Sequence, residues 1–247
     1  MLLVTLALKT QENLHKIADW TDQNQMQLNK DKTNYMVFSR SETEFATRIS
    51  IDEDTIDRIE EVKLVGVWLT TWLDWEKNTK ELCKKAYARL TMLTKLRYVG
   101  VPREDLIHIY ILYVRSLLEY CSVVWHSTLT AEQGNNLKRV QKLCLKIILG
   151  EEYCGYDDAL EKCGLERLSD RRENKCLNFG LKSLLHPIHS EMFPINPQVL
   201  ANPHYTRNSE QFVVNMAKSD SYRDSAIPYM QRMLNQYVNN QKRTRSV

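Results

Sequence analysis

The residues with the clearest chemical potential are Gly155-Tyr156-Asp157-Asp158. Two adjacent carboxylates can share a pair of divalent ions about 4 Å apart when a β-hairpin presents them. Here they follow a helix-ending glycine, Gly150, and open the segment ALEKCGL (159–165), which reads as helix. Acidic side chains at a helix start offset its dipole, so the expected role is capping rather than metal binding. Cys176, His186 and His189 are the only Cys/His grouping with a metal-like composition, but Pro187 keeps the two histidines off one regular helix face. Cys121 and His126 lie five apart on one expected helix, which does not set a nucleophile beside a base. The glycines are isolated and form neither a P-loop nor a dinucleotide fingerprint, and neither G-x-S-x-G nor H-E-x-x-H occurs. No metal, cofactor or catalytic residue is expected.

Charge points to a different chemistry. The chain has 247 residues, 43% hydrophobic and 26% charged, with a formal charge of +3. That composition excludes disordered, collagen-like and multi-span membrane chains. Residues 1–74 hold 8 Lys/Arg against 13 Asp/Glu, a balance of −5; residues 75–150 hold 13 against 6, or +7; residues 151–247 hold 13 against 12, or +1. A basic block inside a near-neutral chain can be an electrostatic footprint for nucleic acid, or simply a solvated helix face. Six cysteines without a C-x-x-C pair fit a reducing, intracellular compartment, nuclear or cytoplasmic. Leu2–Leu8 is too short for a signal-peptide core, and His108, Arg115 and Glu119 argue against a membrane span at Leu106–Trp125.

The elements that must position these groups follow from periodicity. Seven Gly and six Pro are few for this length, so helix should dominate. The opening reads as a short strand and then a helix. Tyr35–Phe38 reads as a strand, 48–57 as a hairpin turning at Asp52-Glu53-Asp54, and Val62–Leu69 as a strand interrupted by Gly66. From Asp74 the period becomes helical, with Trp75, Leu82, Ala86, Leu90, Leu93 and Leu96 on one stripe. Residues 103–127 predict a central buried helix with Ile109, Leu112, Leu117 and Val124 inaccessible. A third helix is expected over 131–149, with Leu137, Val140, Cys144, Ile147 and Ile148 inward, then shorter ones at 157–163 and 167–186. Beyond Pro187 the chain reads as irregular with a last helix at Pro228–Val238. The expected fold class is α+β, predominantly α: a small αβ unit (1–74), a helical bundle (75–187) and an irregular extension (188–247).

Several segments carry a family resemblance. Leu3-Val4-Thr5, Trp20 and the run Gln27-Leu28-Asn29-Lys30-Asp31-Lys32-Thr33-Asn34-Tyr35-Met36-Val37-Phe38 resemble the end of the palm in LINE-type, jockey-like non-LTR retrotransposon reverse transcriptases. Val62–Leu69 (VKLVGVWL) is similar to the primer grip that follows. Leu106–His126, Leu137–Gly150, Arg171-Arg172-Glu173 and Ser225-Ala226-Ile227-Pro228 resemble the helical, thumb-like region beyond it. The resemblance covers nearly the whole chain, with its motifs in family order. It implies contact with an RNA template and DNA primer, with the missing fingers and palm as partners. It implies that Lys32 matches the palm-end lysine near the leaving pyrophosphate, and Gly66 the primer-grip glycine.

The family's aromatic-Ala-Asp-Asp box would stand before Leu2, where this sequence has Met1, so the chain is expected to be inactive alone as a polymerase. Its nucleic-acid-binding side chains are then expected to be Lys77, Lys80, Lys84, Lys85 and Arg89, opposite the Leu82, Ala86 and Leu90 stripe. Residues 100–150 also resemble a segment catalogued with the N-terminal region of AlkB-type tRNA-modifying enzymes. Dioxygenase chemistry of that kind needs His-x-Asp, which is absent, so this second resemblance implies a shared accessory unit. The remaining alternatives are a helical RNA- or protein-interaction module and an accessory segment of an AlkB-type RNA dioxygenase or methyltransferase.

Overall fold

In a computed structural model the chain opens with one helix, α1 (Leu2–Gln23), and the structure describes residues 2–38, 48–51, 54–197, 199, 211–214 and 216–244. The expected opening strand is therefore helix. A strand needs a neighbour to satisfy its backbone, whereas Leu and Ala in a helix satisfy theirs internally. The fold is α+β and predominantly α. It divides into two compact units, Met1–Lys77 and Asn78–Val247.

The first unit pairs α1 with three two-stranded sheets. β1 (Asn34–Tyr35) runs parallel to β4 (Asp57–Arg58), and β2 (Ser50–Ile51) antiparallel to β3 (Asp54–Thr55). The expected strand at 35–38 thus pairs only at its start, because β4 offers two residues. The hairpin at 48–57 forms, although Asp52 and Glu53 of its expected turn lie outside the described residues. Ile49, Ile51 and Ile56 make the core, with Leu14, Ala18, Leu28 and Tyr35 packed on it. The Gln11 amide completes the edge of β2: Ser50 N–H donates to its Oε1 at 3.0 Å, and its Nε2 donates to Ser50 O at 2.6 Å. β5 (Glu61–Leu64) and β6 (Val67–Thr70) form an antiparallel hairpin, so the expected single strand over 62–69 folds back on itself. Asp74 then accepts from Glu76 N–H and starts α2 (Glu76–Tyr98).

In the second unit α2 buries Leu82, Ala86, Leu90 and Leu93. The expected helix over 103–127 is broken. α3 (Arg103–Ile109) passes into a π-helical stretch (Tyr110–Arg115) and a last turn, α4 (Ser116–Leu118); Cys121, left-handed at φ 49°, precedes α5 (Ser122–Trp125). The buried stripe is Leu106, Tyr110, Val114 and Leu118, each at most 1% exposed. Leu112 and Val124 are 66% and 45% exposed, which overturns their expected burial; Ile109 and Leu117 are half-buried. A helix apolar on nearly all sides offers several faces, and packing chose the i, i+4 row through Tyr110. Among the described residues no single helix is long and apolar enough to cross a membrane; Arg103–Leu118 and Ser122–Thr128, bent by 43°, pass that test only as a pair.

α6 (Ala131–Leu149) starts with a capping box between Thr130 and Gln133. It buries Leu137, Val140, Cys144 and Ile148 as expected, with Ile147 half-buried. Its end at Gly150 (φ 57°) has no Cβ, which leaves room for the Arg97 guanidinium to donate to Ile148 O. α7 (Tyr156–Lys162) and α8 (Leu168–Ser183) follow. The expected last helix at Pro228–Val238 is longer: α9 (Asp220–Arg223) leads into α10 (Ala226–Thr244), a 19-residue helix packed on α8. Phe193, Phe212, Met230 and Leu234 form a second core with Cys176. Asn235 braces it, accepting from Phe212 N–H at 2.8 Å and donating to Phe212 O at 3.0 Å.

Candidate nucleic-acid interface

Lys32 closes a 3-10 turn (Lys30–Lys32) at the entry to β1. Asn29 holds that turn by accepting from Lys32 N–H at 3.1 Å through Oδ1 and from the Thr33 hydroxyl at 2.8 Å through its carbonyl. The neighbouring depression, lined by Asp22, Asp31, Asp54 and Asp57 among others, is acidic, so the exposed Lys32 ammonium stands in a field that disfavours phosphate. Gly66 and Val65 are the two turn residues of the β5–β6 hairpin, at φ 85° and 46°. Both are left-handed, the signature of a two-residue type I′ turn, so Gly66 is neither a strand interruption nor a bulge. The turn lifts Leu64 and Val65 into solvent at 58% and 77% exposure.

The five expected residues, out of seven basic ones on α2, do not present one uniform row. Lys77 pairs with Glu61 and lies 3.9 Å above the Trp68 ring, where its charge is largely answered. Arg89 donates to Tyr113 O and so ties α2 to the π-helical stretch. Lys80, Lys84 and Lys85 are exposed, with Lys80 and Lys84 one turn apart. The structure thus spreads the candidates over three places: a turn before β1, a hairpin tip, and α2, where Lys80, Lys84 and Lys85 are the exposed ones among the five expected residues.

The helical motifs converge instead on a buried polar cluster. Glu119, its side chain 3% exposed at the break after α4, accepts from Arg171 Nε at 2.6 Å and pairs with Lys175 Nζ at 2.7 Å. Burial pushes its carboxyl upward, but the bonds and charges of Arg171 and Lys175 outweigh that and hold it below the usual range. Arg172 is 3% exposed; it lies 5.7 Å from the Trp125 ring centre and donates to His126 Nδ1 at 3.3 Å. Burial, helped by the Arg172 charge, pushes His126 down to about 4, so its imidazole is neutral at physiological pH. These residues brace α8 against the broken helix. Asp157 and Asp158 sit in the first turn of α7 as expected, paired with Arg167 at 3.0 Å and Lys162 at 2.9 Å. Cys176 is buried in the second core, while His186 and His189 stack ring on ring at 4.0 Å in solvent. Among the described residues no group of three His, Cys, Asp or Glu side chains could hold a metal ion.

Sequence reading missed one basic group. Lys138 and Lys142 lie 4.8 and 5.4 Å from the centre of the Tyr156 ring, and Lys146 lies 5.3 Å from that of Tyr153. The available signal was three lysines at i, i+4 and i+8 followed by two tyrosines just past the helix end. No protein-family model, curated protein or solved structure matches this chain.

Proposed function

We propose that this chain forms the palm end and thumb-like region of a LINE-type reverse transcriptase, touching primer and template without extending them. The observation that carries the reading is the order of elements: a tight hairpin with Gly66 at its tip, then the 23-residue helix α2 with Lys80, Lys84 and Lys85 in solvent. Such a helix can follow a phosphate backbone, independently of sequence. Anisotropy of a labelled primer–template duplex at two salt concentrations tests it. Weak binding is expected, in the range of about 10⁻⁴ to 10⁻⁶ M, with each neutralised phosphate adding roughly −0.7 to −0.9 to the log–log salt slope. Changing Lys80, Lys84 and Lys85 to Glu should lower both affinity and slope. An unchanged titration would remove the case for this surface.

A helical protein-interaction module is the second reading, favoured by the exposed Leu112, Tyr113, Tyr120 and Val124 on and beside the broken helix. Under it, the α2 variant leaves duplex affinity intact.

A further inference from the structure

We propose a second phosphate-binding surface on α6: a stripe of Lys138, Lys142 and Lys146, with Tyr153 and Tyr156 as fixed supports, that takes three consecutive phosphates of a polynucleotide backbone. In a helix, residues four apart are about 6 Å apart along the axis, close to the spacing of phosphates along one strand. The three lysines therefore present a ladder of cations at backbone pitch.

Ring faces meet that charge. Among the described residues none of the three has a carboxylate within ion-pairing reach; three acidic groups of the adjoining segment are engaged elsewhere, Glu152 with Arg103, Asp157 with Arg167 and Asp158 with Lys162. After Glu132 in its first turn, α6 carries Lys138, Arg139, Lys142 and Lys146 and no acidic residue. Like charges one turn apart repel, and two ammonium groups drawn to one ring repel more. A bound polyanion turns that cost into attraction.

The supports are themselves anchored. Tyr156 donates its hydroxyl to Gln141 Oε1 at 2.6 Å. Gln141, fully buried, also accepts from Leu168 N–H at 3.3 Å and donates to Glu166 O at 3.0 Å. Burial pushes the Tyr156 phenol up to about 12, so it stays a neutral donor. A ring tied to the core holds Lys138 and Lys142 over its face, so less side-chain freedom is lost on binding. Tyr156 is thus a positioning residue. This surface does not rest on the α2 reading.

The test uses the full chain with three probes: a labelled 20-nucleotide single-stranded RNA, a primer–template duplex, and heparin as competitor. Changing Lys138, Lys142 and Lys146 to Gln should weaken binding at least tenfold and flatten the log–log salt slope by about 2 for the single strand and about 3 for the duplex, at roughly 0.7 and 0.9 per phosphate. Whichever nucleic acid shows the larger loss identifies the form taken. Tyr156→Leu should weaken binding several-fold, whereas Tyr156→Phe, which keeps the ring, should recover most of it. A folded Gln triple variant with unchanged affinity and slope overturns the proposal. So does a heparin inhibition constant that is the same for the wild type and that variant. If the α6 variant is silent while the α2 variant loses affinity, this inference falls and the function proposed above stands; the reverse result does the opposite.

Discussion

Glu119 is a carboxylate at 3% side-chain exposure between two cations. Removing its charge leaves Arg171 and Lys175 facing a neutral amide. Breaking a fully buried pair costs about 3–5 kcal/mol, and the partial exposure of both partners reduces this. Glu119→Gln is expected to lose roughly 1–3 kcal/mol in urea unfolding at pH 7. Because the folded carboxyl titrates below its unfolded value, that stability is present above about pH 4.3 and fades as pH falls through the folded value. His126 acts over a higher window. Its folded value of about 4 lies below the unfolded value, so its contribution is complete above about pH 6.5 and drains away as pH falls toward 4. At about 1.4 kcal/mol per unit, discounted for partial exposure, the loss is about 1–2 kcal/mol. His126→Asn should flatten stability between pH 6.5 and 4.5. Single-residue chemistry was legible where it is local: Asp157-Asp158 after a helix-ending glycine reads as a first-turn pair because the chain there can only be helix. The Glu119–Arg171 pair was not, because its members stand 52 residues apart and sequence shows only that each is charged.

Among the elements, the long helices were legible and the short strands were not. α2 and α6 repeat apolar residues at the helical period over 23 and 19 residues, so their faces read off directly. The first unit is built from strands of two to four residues, too short for a period-two pattern to outweigh turn chemistry. The turn at Val65-Gly66 is hidden in the sequence, since a β-branched Val disfavours positive φ, yet the chain puts both residues there. That is a cost the fold absorbs, and it is removable. Val65→Asn, which tolerates a left-handed backbone, is expected to raise stability by about 0.5–1 kcal/mol, and Gly66→Ala to lower it by about 1, each measured by thermal melting. The break in residues 103–127 was illegible for the opposite reason. An all-round apolar segment carries no phase, so neither the π-helical stretch nor the left-handed Cys121 leaves a mark in the pattern.

At the scale of the whole molecule, α10 belongs to the second unit and closes that unit's second core through Met230 and Leu234. Leu234 is fully buried, with its side chain against Gly180 of α8. Leu234→Ala should cost about 2–4 kcal/mol and lower the midpoint of a single cooperative transition of that unit. Asp157 and Asp158 are spent on α7, so primer extension on a primed RNA template with Mg²⁺ or Mn²⁺ is expected to show no template-dependent incorporation; incorporation above a no-protein control would sink the reading of an inactive chain. The Glu119 brace also has a consequence in time. Its partners must close a 52-residue loop, and the carboxylate gives up its water only after both cations have arrived. It is therefore expected to form after the rate-limiting barrier and to work as a latch on unfolding rather than as a guide in the search. In a chevron plot, Glu119→Gln should raise the unfolding arm by nearly its full equilibrium cost and leave the refolding arm in place. A slower refolding arm would instead put this brace inside the folding nucleus.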